Sequence, residues 1–242
     1  VTTRRDHAAD TAGLRVLEIG SCLSVAYAGM LLAEQGHRVD KWLRADGGDP
    51  VLDLDDGEAL WRWLCHRKIL TVRHARQVAD LEPGSVDVVI DNLRWSAWAG
   101  WGVSPRAQAE RLGARWVSLR DDFDGRSFDA VAQARAWGEH LGCVPAYLGD
   151  TAAGLWLAFK ATAGGEPGHY VLRHAALLAK LVEGELAAAP RREGASAPGR
   201  YGLNDARDGV RVWYRGGWVT EPLRGERWRR THLGHDAGRY RV

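Results

Sequence analysis

The stretch from Leu14 to Leu43 restricts the fold more than any other. Leu14-Arg15-Val16-Leu17-Glu18-Ile19-Gly20 alternates and then stops at glycine, the pattern of a strand ending in a turn. Ser21 to Val25 continues the turn. Ala26 to Gln35 reads as a helix of small residues closed by Gly36, and Arg38 to Leu43 as a second strand. Strand, helix and strand in that order need a crossover, so the two strands are expected to be parallel with a right-handed connection. The expectation is an α/β fold with a Rossmann-like, open, mainly parallel sheet flanked by helices. Ligands of such sheets sit at the carboxyl ends of the strands. That rule puts Gly20 to Val25 and Arg44 to Asp49 on one rim.

The rest of the chain supplies more of the same units. Strands are expected at Ile69–Val72, Val86–Ile90, Trp116–Leu119 and His169–Leu172. Helices are expected at Gly57–Cys65, Pro105–Leu112, Phe128–Leu141, after Asp150, and at His174–Ala188. Residues 190–208 read as a linker by composition. Beyond it, Gly209–Tyr214 and Gly217–Thr220 read as a hairpin followed by an Arg-rich tail. The division expected is a Rossmann-like domain over 1–189, the linker, and a short second unit over 209–242.

Composition narrows the function classes. The first turn has Gly20 but neither G-x-G-x-x-G nor G-K-[ST], so a dinucleotide or phosphate-loop fingerprint is absent. No run of about 18 apolar residues exists, and no secretory segment opens the sequence, so a cytoplasmic protein without a membrane span is expected. Cys22, Cys65 and Cys143 are too scattered for a metal site or a disulfide framework. From Arg191 onward there are 12 Arg against 6 acids. Such a tail can meet a phosphate-bearing ligand, but charge runs are more often solvated faces, and nucleic acid is not expected as a partner. Twelve Trp are present, each needing one acceptor for its N–H when buried. Trp95, Trp98 and Trp101 are spaced as a partner surface or as one buried helical face.

The most suggestive acid is Asp150, in Leu148-Gly149-Asp150-Thr151-Ala152-Ala153-Gly154. This reads as a Gly-rich turn before an apolar helix. Asp at such a place is commonly a helix N-cap, and alternatively a functional carboxylate.

The order of pieces resembles the class III CoA-transferases, the CaiB/BaiF-type family. The resemblance rests on Leu14–Ile19, on Tyr27–Gly36, and on Val39-Asp40-Lys41 through Arg44 to Gly47-Gly48-Asp49-Pro50. It continues through Val88–Leu93, Phe128–Ala134 and Gly149-Asp150 with Gly154. It implies that Asp150 attacks an acyl-CoA thioester as a nucleophile, or serves as base. It also implies that Ser21, Cys22, Leu23, Ser24 and Val25 line the CoA channel. Arg44 would lie beside the adenine or phosphates, and Asn92 and Leu93 would border the pantetheine. The bland readings are a surface arginine for Arg44 and a turn residue serving its own backbone for Asn92. Coenzyme A or acyl-CoA would be a substrate, with no tightly bound cofactor and no metal. An acyl-carrier thioester is the other source of that chemistry. A homodimer or a partner subunit is the expected assembly.

The chain departs from the family pattern in three places. Residues 209–242 read as a remnant of the family's second domain, without its glycine-rich covering loop. Leu23 and Gly100 replace polar ligand contacts. Phe128 stands where related racemases use His, which argues against racemisation by that pair; nearby His140 is a candidate acid or base, or structural. Two alternatives therefore stay open. One is a member turned to another acyl-thioester reaction in biosynthesis, such as decarboxylation, elimination or cyclisation. The other is a noncatalytic binding subunit.

Overall fold

The computed structural model describes residues 13–45, 48–54, 56–120, 129–137, 147–181, 201–206, 209–214, 217–221 and 229–230. Phe128, His140, Cys143 and most of the Arg-rich tail lie outside them.

Six strands form one sheet: β1 (Arg15–Ile19), β2 (Arg38–Leu43), β3 (Ile69–Val72), β4 (Val88–Asp91), β5 (Arg115–Arg120) and β6 (Gly168–Arg173). Their order is β3-β2-β1-β4-β5-β6, and every neighbouring pair is parallel. The chain builds outward from β1 to β3, returns beside β1 as β4, and builds outward the other way. The direction reverses between β1 and β4, and the crevice at their carboxyl ends is where such sheets take ligands.

The helices are α1 (Leu23–Glu34), α2 (Gly57–Leu64), α3 (Trp95–Gly100), α4 (Pro105–Leu112), α5 (Asp129–Trp137), α6 (Leu148–Thr162) and α7 (His174–Leu181). Strand alternation sorts the core into two layers. Val16, Val88, Ile90, Val117 and Leu119 face α1 and α6, where Val25, Leu32, Ala153 and Leu157 are fully or almost fully buried. Leu17, Ile19, Val89 and Trp116 face Trp98 of α3 and Ala109 and Leu112 of α4. Each large aliphatic side chain so buried contributes about 2 kcal/mol.

Two of the tryptophans share one acceptor. The buried Asp91 at the end of β4 takes the indole N–H of Trp98 (3.1 Å) and of Trp116 (2.6 Å). It also takes the Ser118 hydroxyl and pairs with Arg120 at 2.7 Å. Trp98 is therefore a core anchor, the one member of the Trp95, Trp98, Trp101 set that is buried, while Trp95 is half-buried. Trp101 remains partly exposed and stacks edge-on against Trp98.

A second sheet, β10-β9-β8-β7, is antiparallel along its length, with β7 (Tyr201–Ala206), β8 (Gly209–Tyr214), β9 (Gly217–Glu221) and β10 (Arg229–Arg230). The β8–β9 hairpin matches the sequence expectation. Strand β7 falls inside the stretch read as a linker. Its Gly, Asn and Asp content hides it, and pairing with β8 along the whole strand overrides that local preference. Strand β8 runs beside α5. No helix among the described residues is long and apolar enough to cross a membrane.

Candidate active site

The turn between β1 and α1 is strapped from two sides. From the end of β4, the Asn92 side chain accepts the Ser21 N–H (3.2 Å) and donates to the Ser21 carbonyl (2.7 Å). Gly20, at φ +141°, makes room, since a Cβ there would lie 2.0 Å from the Asn92 Oδ1. From the loop after β2, Asp49 Oδ1 accepts the Cys22 N–H and the Val51 N–H, both at 3.1 Å. Cys22 caps α1 at φ +67° without a side-chain hydrogen bond. Asn92 thus serves a residue on another strand's turn, not its own backbone.

Beneath the turn lies a buried charge network. Glu18 pairs with Lys41 at 2.6 Å and Lys68 at 2.7 Å, and Lys41 stands 3.8 Å from Asp49. Burial alone would raise the Glu18 carboxyl, but the charges of Lys41 and Lys68 outweigh it and hold it below its ordinary range. Burial would lower Lys41, yet Glu18 and Asp49 keep it raised. Lys68 is lowered, by burial first and by Lys41, with Glu18 opposing. Gly29 of α1 is required above this network, because a Cβ there would lie within 1.9 Å of Glu18 Oε2. The Lys41 and Asp49 that carry the resemblance are thus the struts of the turn.

Asp150 comes to this turn from the other side. The Gly-rich stretch expected as a turn is itself the start of α6, and Asp150 sits in its first helical turn. The cap position is Tyr147, which offers no side-chain cap. Asp150 is therefore not the N-cap. The glycines are close-contact positions inside the helix. A Cβ on Gly154 would lie 2.7 Å from the Ser24 carbonyl oxygen, and one on Gly149 would lie 2.6 Å from Asp129 Oδ1. Tertiary contact overrides the low helix propensity of glycine here.

Asp150 is buried, and burial pushes its carboxyl up to about 7, against a hydrogen bond donated by the Ser24 side chain. Asp129, the first residue of α5, accepts the Asp150 N–H at 2.8 Å. Burial and then the Asp150 charge push Asp129 up to about 7 as well. The Asp150 N–H, His174 and Gln133 act the other way. The half-buried Cys22 thiol is raised by burial and by the nearby charges of Asp49 and Asp150.

The structure therefore joins Asp150 to Ser24 and Cys22, and joins Ser21 to Asn92. Leu23 and Val25 point into the core, Leu23 with Val51 and Leu64 and Val25 under the sheet. Leu93 packs against the Trp98 layer. Arg44 follows β2 on the same rim and is exposed. Asp129, Gln133 and His174 are the members that sequence reasoning missed. The spacing of Asp129 and Gln133, one helical turn apart, was the available signal, but nothing in the sequence brings α5 to α6. Among the described residues, no group of three His, Cys, Asp or Glu is placed to hold a metal.

No protein-family profile matches the sequence, and no curated protein does. Solved structures do match. The hypothetical protein Rv3272 of Mycobacterium tuberculosis is 19% identical with a TM-score of 0.63, over 85% of this chain and 64% of that one. A CAIB/BAIF family protein from Brucella suis is 17% identical with a TM-score of 0.62, over 85% and 66%. An aspartate-to-alanine mutant of Rv3272 matches at 18% and 0.60, over 83% and 62%. The likeness is one of fold. The chain spans 64% of the length of the first of these structures.

Proposed function

We propose that the chain acts on an acyl-CoA, or on the acyl thioester of a carrier pantetheine, with Asp150 as the reacting carboxylate. One observation carries the reading: the helix bearing the acid and the start of α1, more than 120 residues apart in sequence (Ser24 to Asp150), pack so closely beside the sheet's reversal point that a Cβ on Gly154 would lie 2.7 Å from the Ser24 carbonyl oxygen, with Ser24 and Asp150 both buried. The fold shared with the Brucella suis CAIB/BAIF protein supports it.

In the first step an Asp150 oxygen attacks the thioester carbonyl carbon, the C–S bond breaks, and an acyl-aspartyl anhydride and CoA thiolate form. For transfer between acids, the thiolate returns to the Asp150 carbonyl and releases the first acid. The second acid then enters by the reverse steps. A carboxyl raised by burial is more basic than a solvated one, and therefore a better nucleophile once ionised. The Asp150 N–H is already taken by Asp129, so oxyanion donors must come from elsewhere. The first N–H groups of α1, a helix without a side-chain cap, are candidates. Arg44 on the rim would meet the CoA phosphates. The same raised carboxyl also suits proton transfer in a decarboxylation, elimination or cyclisation.

A second reading is favoured by one feature. Leu148, Leu155, Trp156 and Phe159 leave an exposed apolar stripe on α6, the helix that carries Asp150. Such a stripe fits a subunit that binds a partner, or a second copy, over this helix.

Mixing acyl-CoA with a second carboxylic acid and separating the products tests the main reading. New acyl-CoA formed by wild type and lost in Asp150→Asn, with CoA binding by Trp fluorescence retained, is the expected result. No CoA response at millimolar ligand would remove the shared premise.

A further inference from the structure

The site holds a second buried carboxyl whose role the acyl-transfer step does not use. Asp129 opens α5 and is buried. Its Oδ1 accepts the Asp150 N–H at 2.8 Å, and its Oδ2 accepts from the Gln133 side chain. Gly149 admits it, because a Cβ there would lie 2.6 Å from Oδ1 and 3.3 Å from His174 Nε2. Groups on α5, α6 and α7 thus surround one carboxyl.

Capping alone explains the bond to the Asp150 N–H, since α6 lacks a side-chain cap of its own. It does not explain the choice of residue. Asn or Ser would cap as well without placing a second ionisable acid beside Asp150 in a dry site, where like charges are expensive.

We propose that Asp129 is a positioning residue acting through Asp150: it fixes the first turn of α6 and, by its own charge, decides the pH at which Asp150 becomes a carboxylate. The inference rests on Asp150 being the reacting acid. Coulomb repulsion is reciprocal, so the Asp150 charge that raises Asp129 has an equal counterpart on Asp150. The other groups facing Asp150 are the Ser24 hydroxyl from α1 and the Cys22 thiol, with Asp49 behind it. His174 from α7 and Gln133 from α5 face Asp129. Both acids ionise in the same range, pushed up to about 7. The pair is therefore expected to titrate in two linked steps, with apparent values belonging to both acids.

The test uses the full chain labelled with carbon-13 at aspartate carboxyls, followed by NMR from about pH 4 to about pH 9, with the acyl-CoA adduct rate at Asp150 measured in parallel. Asp129→Asn keeps an oxygen for the Asp150 N–H, and Gln133 can turn its amide to match, so only the charge is removed. The expected result is an Asp150 midpoint lower by about one unit, a tenfold change, with adduct formation extended to lower pH. In wild type, the signals of both acids should each show the two linked steps. That reading needs no variant to fold. Independent single-step curves in wild type, or an Asp150 midpoint unmoved in Asp129→Asn, overturn the proposal. A moved midpoint without any wild-type adduct would instead defeat the acyl-transfer reading and leave the pairing intact.

Discussion

At the scale of the residue, the burial of Asp150 costs stability. Its folded carboxyl ionises near 7, against an ordinary value of 3.8, because the site is dry. A raised acid binds its proton more tightly in the folded state, so folding loses stability as pH climbs from about 4 to about 7. Asp150→Asn removes that cost while keeping an acceptor for Ser24. The expected outcome is a variant that is inactive yet more stable at pH 8, on the order of 4 kcal/mol, with a gain at pH 5 of about a third of that, read from urea midpoints at the two pH values. Asp150 could be singled out in the sequence, but its environment could not. The acid that takes its N–H lies 21 positions away, on a helix that nothing in the sequence brings beside it.

At the scale of the element, the sequence showed most of the parallel sheet and less of its supports. β2, β3 and α4 match their expected bounds, since apolar alternation and the Ser104–Pro105 helix start are local signals. The start of α6 was hidden because Gly149 and Gly154 read as turn residues; their reason is contact with Asp129 and with α1, which no local pattern reports. The same holds for Glu18, whose place on a core strand makes sense only with Lys41 and Lys68 across from it. Glu18→Gln leaves two buried lysines with less compensation and should cost about 3–5 kcal/mol. Gly29→Ala pushes a methyl group into the same carboxylate. The two together should cost less than their sum in denaturation experiments, because each disrupts one shared network.

At the scale of the whole molecule, the two buried acid systems pull the pH dependence in opposite directions. Glu18 is held low, so its contribution is present above the ordinary carboxylate range and is lost as pH falls through its folded value. The Asp129–Asp150 pair is held high, so its penalty grows as pH rises toward about 7. Stability should therefore peak on the acid side of neutrality, near pH 5, and a thermal melt series across pH checks the position of the peak. Architecture and site converge at one place, the reversal between β1 and β4, where Asn92, Asp49 and Ser24 hold the turn against the helix bearing Asp150. In the proposed function Asp150 forms a covalent bond with the acyl group of a thioester. The most direct measurement is mass spectrometry of the chain mixed with acyl-CoA and trapped with hydroxylamine or borohydride. The account predicts a modification on Asp150 that vanishes in Asp150→Asn; acyl-CoA turnover that persists unchanged in that variant, with no modified Asp150 in wild type, would contradict it.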